Sequence, residues 1–407
     1  MSYSDKDVSR RDIMKVFSKF GVTSTLLAAS GFTVGSLTLP ALAHAAEETH
    51  KKRYSTKPKY QFRYGGAGYD AERLKLVQVG SLDFVRDLEE RTNGAVRVEF
   101  IGNNQICNES DCVRKMQDGI IQFFTSSTQN AAGAAPYYNA LDFPYMFPTR
   151  ASFYNFLYHP KSEQLLREPL RRMHKSMLLF TMFEHRGLML GPKYKNRDLV
   201  TSIDQLKGAK IRVTGSHLIR LGLSLMGVNA VPLAWEETMD GLNQGLIDGM
   251  ETWSTAVAAF NMTPVVAQAV ELRFSAGLEH CAMSTEVFDK LEPEYQQAIL
   301  ESAFFTQARV QGGHEATIYN AVGVTQPPLP GSIFDKAGVR VSLLSDAEIE
   351  KAEKMSAPNY VPKPWEQWRE RINGWAKGQD VYDEIHEIAH EIPHDTLAQN
   401  VPARRWW

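Results

Sequence analysis

Two arginines near the ends of predicted strands could recognise a carboxylate. Arg212 lies in the strand pattern Lys210-Ile211-Arg212-Val213, and Arg186 ends the run Phe183-Glu184-His185-Arg186. A guanidinium is planar and permanently charged, so it can make two parallel hydrogen bonds to one carboxylate. The competing interpretations are an ordinary strand arginine on the solvent face for Arg212, and an ion pair with Glu184 for Arg186. The chemistry that these residues offer is the binding of an acid.

The chain lacks several sequence patterns of common catalytic sites. It contains no G-x-S-x-G, no phosphate-binding loop and no convincing acid–base pair. Cys281 lies beside His280, but nothing supplies an oxyanion turn or a third partner, and the segment is typical of a core strand. We therefore expect Cys281 to be buried and the protein to be a binding protein, without a cofactor, and not an enzyme.

The three cysteines exclude a dense disulfide framework and lack the paired spacings of a structural zinc site. Cys107 and Cys112 enclose a loop of four residues. In an oxidising compartment we expect a disulfide to close this loop, with a stabilisation at the low end of the usual range because the loop is short.

Strands that alternate with helices position these residues. In the first part of the chain the pattern predicts strands at 60–64, 96–100 and 120–124 and helices at 71–88 and 111–116. Further along it predicts strands at 177–183, 209–213 and 230–233, helices at 203–208, 218–226 and 235–246, and a long amphipathic helix at 286–311 with Pro293 near its start. This α/β alternation indicates a parallel or mixed sheet, covered on both faces, that receives ligands beyond the strand ends.

The N-terminus resembles an export signal. Arg10 and Arg11 precede an uncharged stretch at 20–43 that ends in small residues suited to cleavage. A membrane anchor is the alternative, but glycines and serines dilute the stretch, and the rest of the chain has no comparable apolar run. We expect a twin-arginine signal at 1–45, a flexible leader at 46–58, and a periplasmic mature chain that does not span the membrane.

Composition removes one further class of function. The formal net charge is −2, and no Lys/Arg stripe with interleaved aromatics follows residue 60, so nucleic-acid binding is not expected. The length of 407 residues, 43% of them hydrophobic, is sufficient for two lobes.

Five segments, in order, resemble the solute-binding proteins of tripartite ATP-independent periplasmic (TRAP) transporters. They are LEERTNGAVRVEF, QDGIIQFFTSS, YNALDFPYMF, SIDQLKGAKIRVTGS and VPLAWEETMDGLNQGLIDGMETW, within about residues 60–310. From about Ala316 the match weakens to a helical, aromatic-rich segment. Its final Trp406 and Trp407 could pack in a core or form a contact surface.

The resemblance implies two α/β lobes with mixed sheets flanked by helices, joined by hinge strands and a long shared helix. We assign 59–183 and 278–313 to lobe I, and 184–277 and 314–407, with a C-terminal helical extension, to lobe II. Proteins of this family close on a carboxylated solute and hand it to a membrane permease.

The resemblance also implies a set of site residues. Arg212 takes the place of the arginine that holds the carboxylate, and Arg186 takes the place of a second contact. Loops at the same crevice supply further candidates, namely Trp235, Thr252, Trp253, Ser126, Asn130 and Tyr69. Some family members bind a cation, for which Glu251 would be the nearest candidate, but we predict no metal. The identity of the acid stays open, and the alternatives are a ligand domain that feeds a sensor and an exported enzyme.

Overall fold

The computed structural model describes Ser55 and residues 57–407. The predicted signal at 1–45 and most of the predicted leader at 46–58 lie outside the described residues. Within the described ranges, no helix combines the length and the apolar character needed to cross a bilayer.

Nine strands of the described residues form one hydrogen-bonded sheet, in the order β2-β1-β3-β8-β4-β7-β5-β6, with β9 paired to β8. Parallel pairs join β1 to β2 and β3, and β5 to β6 and β7. This confirms the predicted α/β fold with mixed strand directions. The strands are β1 Tyr60–Gly65, β2 Val96–Ile101, β3 Phe123–Ser127, β4 Ser176–Leu190, β5 Lys210–Val213, β6 Asn229–Pro232, β7 Gly249–Thr252, β8 Gln268–Ser284 and β9 Arg340–Leu343.

The two longest strands, β4 and β8, run antiparallel through both lobes. One end of β8 pairs with β3, and its other end pairs with β9. The far end of β4 pairs with β7. The sheet is therefore divided into two halves that share only this pair of strands, and the molecule has two lobes.

Fifteen α-helices of the described residues cover the sheet. They are α1 Ala71–Val77, α2 Ser81–Arg91, α3 Cys112–Gln117, α4 Thr128–Ala131, α5 Arg150–Tyr158, α6 Glu168–His174, α7 His217–Leu225, α8 Thr238–Asn243, α9 Ser254–Ala259, α10 Thr285–Phe288, α11 Pro293–Ala316, α12 Ile333–Ala337, α13 Asp346–Ser356, α14 Glu366–Trp375 and α15 Val381–Ala389.

The single helix predicted at 71–88 is two helices, α1 and α2. The chain breaks between them because Gln78 and Gly80 have φ values of 57° and 87°. Gly80 is also required sterically, since a Cβ there would lie 2.6 Å from Thr306 Cγ2 of α11. The glycine thus lets the start of α2 pack closely on the long helix.

The long helix α11 begins at Pro293, seven residues after the predicted start at residue 286. Proline is favoured at the first helical position because its missing N–H needs no partner there. Gln307 of α11 ties the helix to β4. Its amide accepts a hydrogen bond from the Thr181 backbone N–H (2.8 Å) and donates one to the Thr181 carbonyl (2.9 Å).

The C-terminal extension packs on α5 and α11, which the sequence assigned to lobe I. Its α15 packs on α5, and Trp365 is fully buried in a cluster with Phe143 and Tyr382. The tail then returns to α11, where Gln311 donates to the Val401 carbonyl (2.8 Å). Apolar burial against α5 and α11 explains this path. The exact lobe boundaries stay a prediction.

The hinge strands lose their regular pairing at one point. Arg186 of β4 pairs with Ser275 of β8, and Leu188 of β4 pairs with Val270 of β8. Between these two pairs β4 has one residue, Gly187, whereas β8 has four, residues 271–274. A Cβ on Gly187 would lie 2.6 Å from the Val270 carbonyl oxygen, which accounts for the glycine. The regular pairing of the two connecting strands is thus interrupted at Gly187.

Glu271 lies at the irregularity and is almost fully buried. Burial and the nearby Glu184 carboxylate raise the pKa of Glu271 to about 7, and a hydrogen bond from Ser254 Oγ (2.8 Å) opposes the shift.

We expect Glu271→Gln to raise the free energy of unfolding at pH 8 relative to wild type. Between pH 4.5 and about 7 the folded protein keeps a proton that the unfolded chain releases, so wild-type stability falls as the pH rises through this window. The expected loss is on the order of 3 kcal/mol, and Glu271→Gln should not show it. Chemical denaturation at pH 4.5 and pH 8 measures the effect, with the exposed Glu370→Gln as the control. Equal effects of Glu271→Gln at both pH values would contradict the prediction.

Candidate functional site

A narrow cleft lies between the lobes, beyond the ends of β3, β5 and β7. Parallel strand ends are where open α/β sheets receive ligands. Of the eight predicted site residues, all but Ser126 line it. Its lining residues are Tyr69, Glu109, Ser127, Asn130, Arg186, Arg212, Thr214, Trp235, Thr252, Trp253, Ala256, Phe260 and Glu279.

Arg212 enters the cleft because of strand alternation in β5. Ile211 and Val213 pack in the core of lobe II, so Arg212 faces the other way. It is only 1% exposed. Its Nε donates to the Leu233 carbonyl (3.0 Å), and its Cζ lies 5.4 Å from the Trp235 ring centre.

The charge of Arg212 has no acidic partner among the described residues. Its two terminal nitrogens make no hydrogen bond there, and no carboxylate lies within ion-pair distance. Burial lowers the pKa of Arg212 to about 10, so the guanidinium is still cationic at neutral pH. Arg212 thus presents a free two-pronged donor to whatever enters the cleft.

Arg186 lies in the same cleft but is already paired. Its Nε donates to the Glu251 carboxylate, and its terminal nitrogens donate to the Glu251 carbonyl (3.3 Å) and Gln129 Oε1 (3.2 Å). The second Glu251 oxygen accepts from the Thr214 N–H (2.9 Å). Arg186 is therefore neutralised by Glu251, and not by Glu184 as the alternative interpretation of the sequence held.

Glu184 has other partners. It accepts hydrogen bonds from the backbone N–H groups of Ser254 (2.9 Å) and Thr255 (3.2 Å) at the start of α9, and its second oxygen lies 3.1 Å from His314 Nε2. The carboxylate thus anchors α9 and α11 to β4. Its role is structural.

Aromatic rings form the walls of the cleft. The Phe260 ring centre lies 5.2 Å from that of Tyr69 and 5.3 Å from that of Trp235, so Phe260 connects the two lobes. Trp253 stacks under Arg186, with 4.8 Å between Cζ and the ring centre. Thr252 pairs with Gly187 at the end of β7 and lines the cleft beside Trp253.

The position of Ser126 corrects the predicted site by one residue. Ser127 lines the cleft, whereas Ser126 lies fully buried opposite His280 of β8. Successive side chains of a strand point to opposite faces, so a slip of one residue moves a side chain to the wrong face. Asn130, one helical turn later, does line the cleft.

Two acidic residues of the site, Glu109 and Glu279, were missed by the sequence analysis. Glu109 accepts from the Ser127 N–H (2.9 Å) and from Asn130 Nδ2 (3.2 Å), and Glu279 accepts from the Tyr69 hydroxyl (3.0 Å). Glu109 lies in the loop between Cys107 and Cys112. Its place in a loop closed by two cysteines could have marked it as a candidate in the sequence. Glu279 is one of several polar residues of β8, together with Glu271, Arg273 and His280, so its position in the sequence did not single it out.

A disulfide joins Cys107 to Cys112, and the loop that it closes carries Glu109. Cys281 is fully buried in β8, as expected. Among the described residues the one cluster of three or more His, Cys, Asp or Glu side chains close enough to share an ion is Cys107, Asp111 and Cys112. Its two sulfurs are bonded to each other, and the Glu251 carboxylate is taken by Arg186 and Thr214.

Residues 68–360 match the family model of DctP, the bacterial extracellular solute-binding proteins of family 7. The 2,3-diketo-L-gulonate-binding periplasmic protein YiaO of Escherichia coli is 26% identical over 251 residues, which cover 58% of this chain and 70% of that protein.

Solved structures share the fold. The sugar acid binding protein DctPAm of Advenella mimigardefordensis, in complex with galactonate, has a TM-score of 0.67 at 17% identity and covers 82% of this chain and 98% of its own. A TRAP periplasmic solute-binding protein of Haemophilus influenzae, with bound L-gulonate, has a TM-score of 0.67 at 17% identity and covers 81% and 99%.

Proposed function

Because the chain belongs to the DctP family of bacterial extracellular solute-binding proteins, we propose that it captures a small carboxylate-containing organic acid between its lobes. It then delivers the acid to the membrane permease of a TRAP transporter. The observation that carries the proposal is the buried, cationic guanidinium of Arg212, which has no acidic partner in the part of the chain that the structure describes. A buried charge is costly unless it is paired, and a solute carboxylate supplies the missing partner.

The two arginines have different roles in this proposal. Glu251 neutralises Arg186, so a single net positive charge, that of Arg212, faces the solute from lobe II. Arg186 lines the cleft beside Trp253 and can make a polar contact with the solute. The rings of Trp235 and Trp253 cover the apolar body of the solute, and Thr252, Asn130 and Tyr69 supply polar contacts.

Closure of the lobes is supported by the hinge and by the contacts at the mouth. Bending at Gly187 would separate Tyr69 and Arg73 of lobe I from Phe260 of lobe II, which now lie 5.2 and 5.0 Å from its ring centre. We propose that these contacts form when the solute is enclosed.

We further propose that the mature protein works in the periplasm after export through Arg10 and Arg11, and that it is not an enzyme. The proteins named above are binding proteins. A ligand domain of a sensor would bind the same acid but engage a receptor. Affinity capture from solubilised membranes, separating permease subunits from a kinase, distinguishes these partners.

The proposed function predicts that an organic acid compacts and stabilises the protein. The solute that co-purifies with the native protein is identified by mass spectrometry, and it and related acids are titrated into unloaded protein. At a hundredfold excess over Kd the free energy of unfolding should rise by about 2.7 kcal/mol, and the radius of gyration should fall. If no acid changes either the melting temperature or the small-angle scattering, the proposal is wrong.

A further inference from the structure

The lobe I side of the cleft presents two carboxyl groups, Glu109 and Glu279. They are 8% and 0% exposed and come from separate elements, the disulfide loop and the hinge strand β8. Among the described residues neither forms an ion pair with Lys, Arg or His. Their hydrogen-bond partners are the neutral groups of Ser127, Asn130 and Tyr69. The cleft therefore has a cationic side at Arg212 and an acidic side across from it.

Burial raises the pKa of both carboxyl groups, and that of Glu279 is raised well above its usual range, with a further contribution from the Glu109 carboxylate. Either group repels a second negative charge when it is ionised, and when it is protonated it still supplies no cation to pair with that charge. This side of the cleft is thus unfavourable for a carboxylate of the solute.

Two buried polar atoms of residues that line the cleft lack a hydrogen-bond partner in the described chain. They are Oε1 of Glu279 and Nε1 of Trp253. Buried polar groups in native proteins are nearly always paired, and an unpaired one costs free energy. A hydroxyl group can donate and accept, so it can satisfy the Glu279 carboxyl in either protonation state and can accept from the indole N–H.

We call the surface formed by Glu109 and Glu279 the Glu109–Glu279 wall. We propose that this wall selects an acid with one carboxylate and a hydroxylated, uncharged opposite end, and that it rejects dicarboxylates. The proposal rests on the proposed function, because it takes the single carboxylate to lie on Arg212. The wall contributes specificity, in that the same pair that accommodates hydroxyl groups repels a second charge.

The test compares sugar acids that differ only at the far end. Aldonates of four to six carbons, including galactonate, gulonate and gluconate, are titrated calorimetrically against the matching aldarates, in which a carboxylate replaces the terminal CH₂OH. Alkanedioates and hydroxyl-free aromatic acids complete the panel. We expect at least one aldonate to bind tenfold or more tightly than its aldarate at pH 7.

A double variant locates the selection in the wall. Glu109→Gln with Glu279→Gln keeps the shape and hydrogen-bonding capacity but removes every ionisable group of the pair. We expect the ratio of aldonate to aldarate affinity to shrink at least tenfold, whereas the exposed control Glu237→Gln should leave it unchanged. If the double variant does not fold, the single variant Glu109→Gln is tested in its place. The comparison of aldonates with aldarates on the wild-type protein tests the selection without any variant.

The outcomes separate this proposal from the proposed function. If a dicarboxylate or a hydroxyl-free acid binds more tightly than every aldonate, or if no aldonate binds while another acid does, the selection is wrong and the solute-binding function stands. An unchanged affinity ratio in the double variant also overturns the role of the wall. Wild-type protein that binds no acid of any class overturns both.

Discussion

Replacing Arg212 with alanine is expected to weaken binding of the native solute by roughly thirtyfold to a few thousandfold. Loss of one member of a buried, hydrogen-bonded charge pair costs about 2–5 kcal/mol, at 1.4 kcal/mol per tenfold change in Kd. Arg212→Lys should recover only part of the affinity, because an ammonium cannot reproduce the two-pronged contact. Titration calorimetry of the three proteins measures the effect.

The ligand-free protein should not lose stability in Arg212→Ala. The substitution removes a buried charge that has no acidic partner among the described residues, so it also removes a desolvation cost. Arg220→Ala, an exposed arginine on α7, is the matched control and should bind like wild type. Binding by Arg212→Ala within threefold of wild type would move the carboxylate anchor elsewhere, with Arg186 as the first alternative.

Replacing Glu251 with alanine is expected to lower the free energy of unfolding of the ligand-free protein by about 3–5 kcal/mol. The substitution leaves the fully buried Arg186 without its counter-charge and the Thr214 N–H without its acceptor. Chemical denaturation measures the loss, and Glu99→Ala on β2, an exposed strand glutamate, should change stability by less than about 0.5 kcal/mol.

A paired substitution separates loss of the ion pair from general disruption of the core. Arg186→Met combined with Glu251→Leu replaces both charges with apolar side chains of related size, which often restores stability. We expect the double variant to be more stable than Glu251→Ala. If Glu251→Ala unfolds like wild type, the Arg186–Glu251 pair does not support the fold.

The short strands of each lobe could be predicted because one face of each is apolar. The alternation at Tyr60–Gly65, Val96–Ile101 and Lys210–Val213 placed β1, β2 and β5 to within a residue or two. The hinge strand β4 was predicted only as far as Phe183, although it continues to Leu190. Charged residues such as Glu184 and Arg186 end an apolar pattern, and only the tertiary structure shows that they are buried and paired.

The position of Arg212 at the cleft could be predicted, whereas the partners of the other cleft residues could not. Arg212 followed from its strand and from the family resemblance. The pairing of Arg186 with Glu251 joins residues 65 positions apart, and that of Tyr69 with Glu279 joins residues 210 positions apart. No local pattern encodes such contacts. Ser126 was predicted to line the cleft, but the residue that lines it is Ser127. An error of one residue at the end of a strand places the side chain on the opposite face of the sheet.

The state of the three cysteines makes the protein well suited to site-specific labelling. Cys107 and Cys112 are bonded to each other, and burial raises the pKa of the Cys281 thiol, so no native cysteine should compete for a maleimide dye. Cysteines introduced at the exposed Asn103 and Asp240, which line a second pocket that shares Glu109, Trp235 and Phe260 with the cleft, would carry a donor and an acceptor fluorophore. Energy transfer between them would turn the molecule into an optical sensor for its own solute.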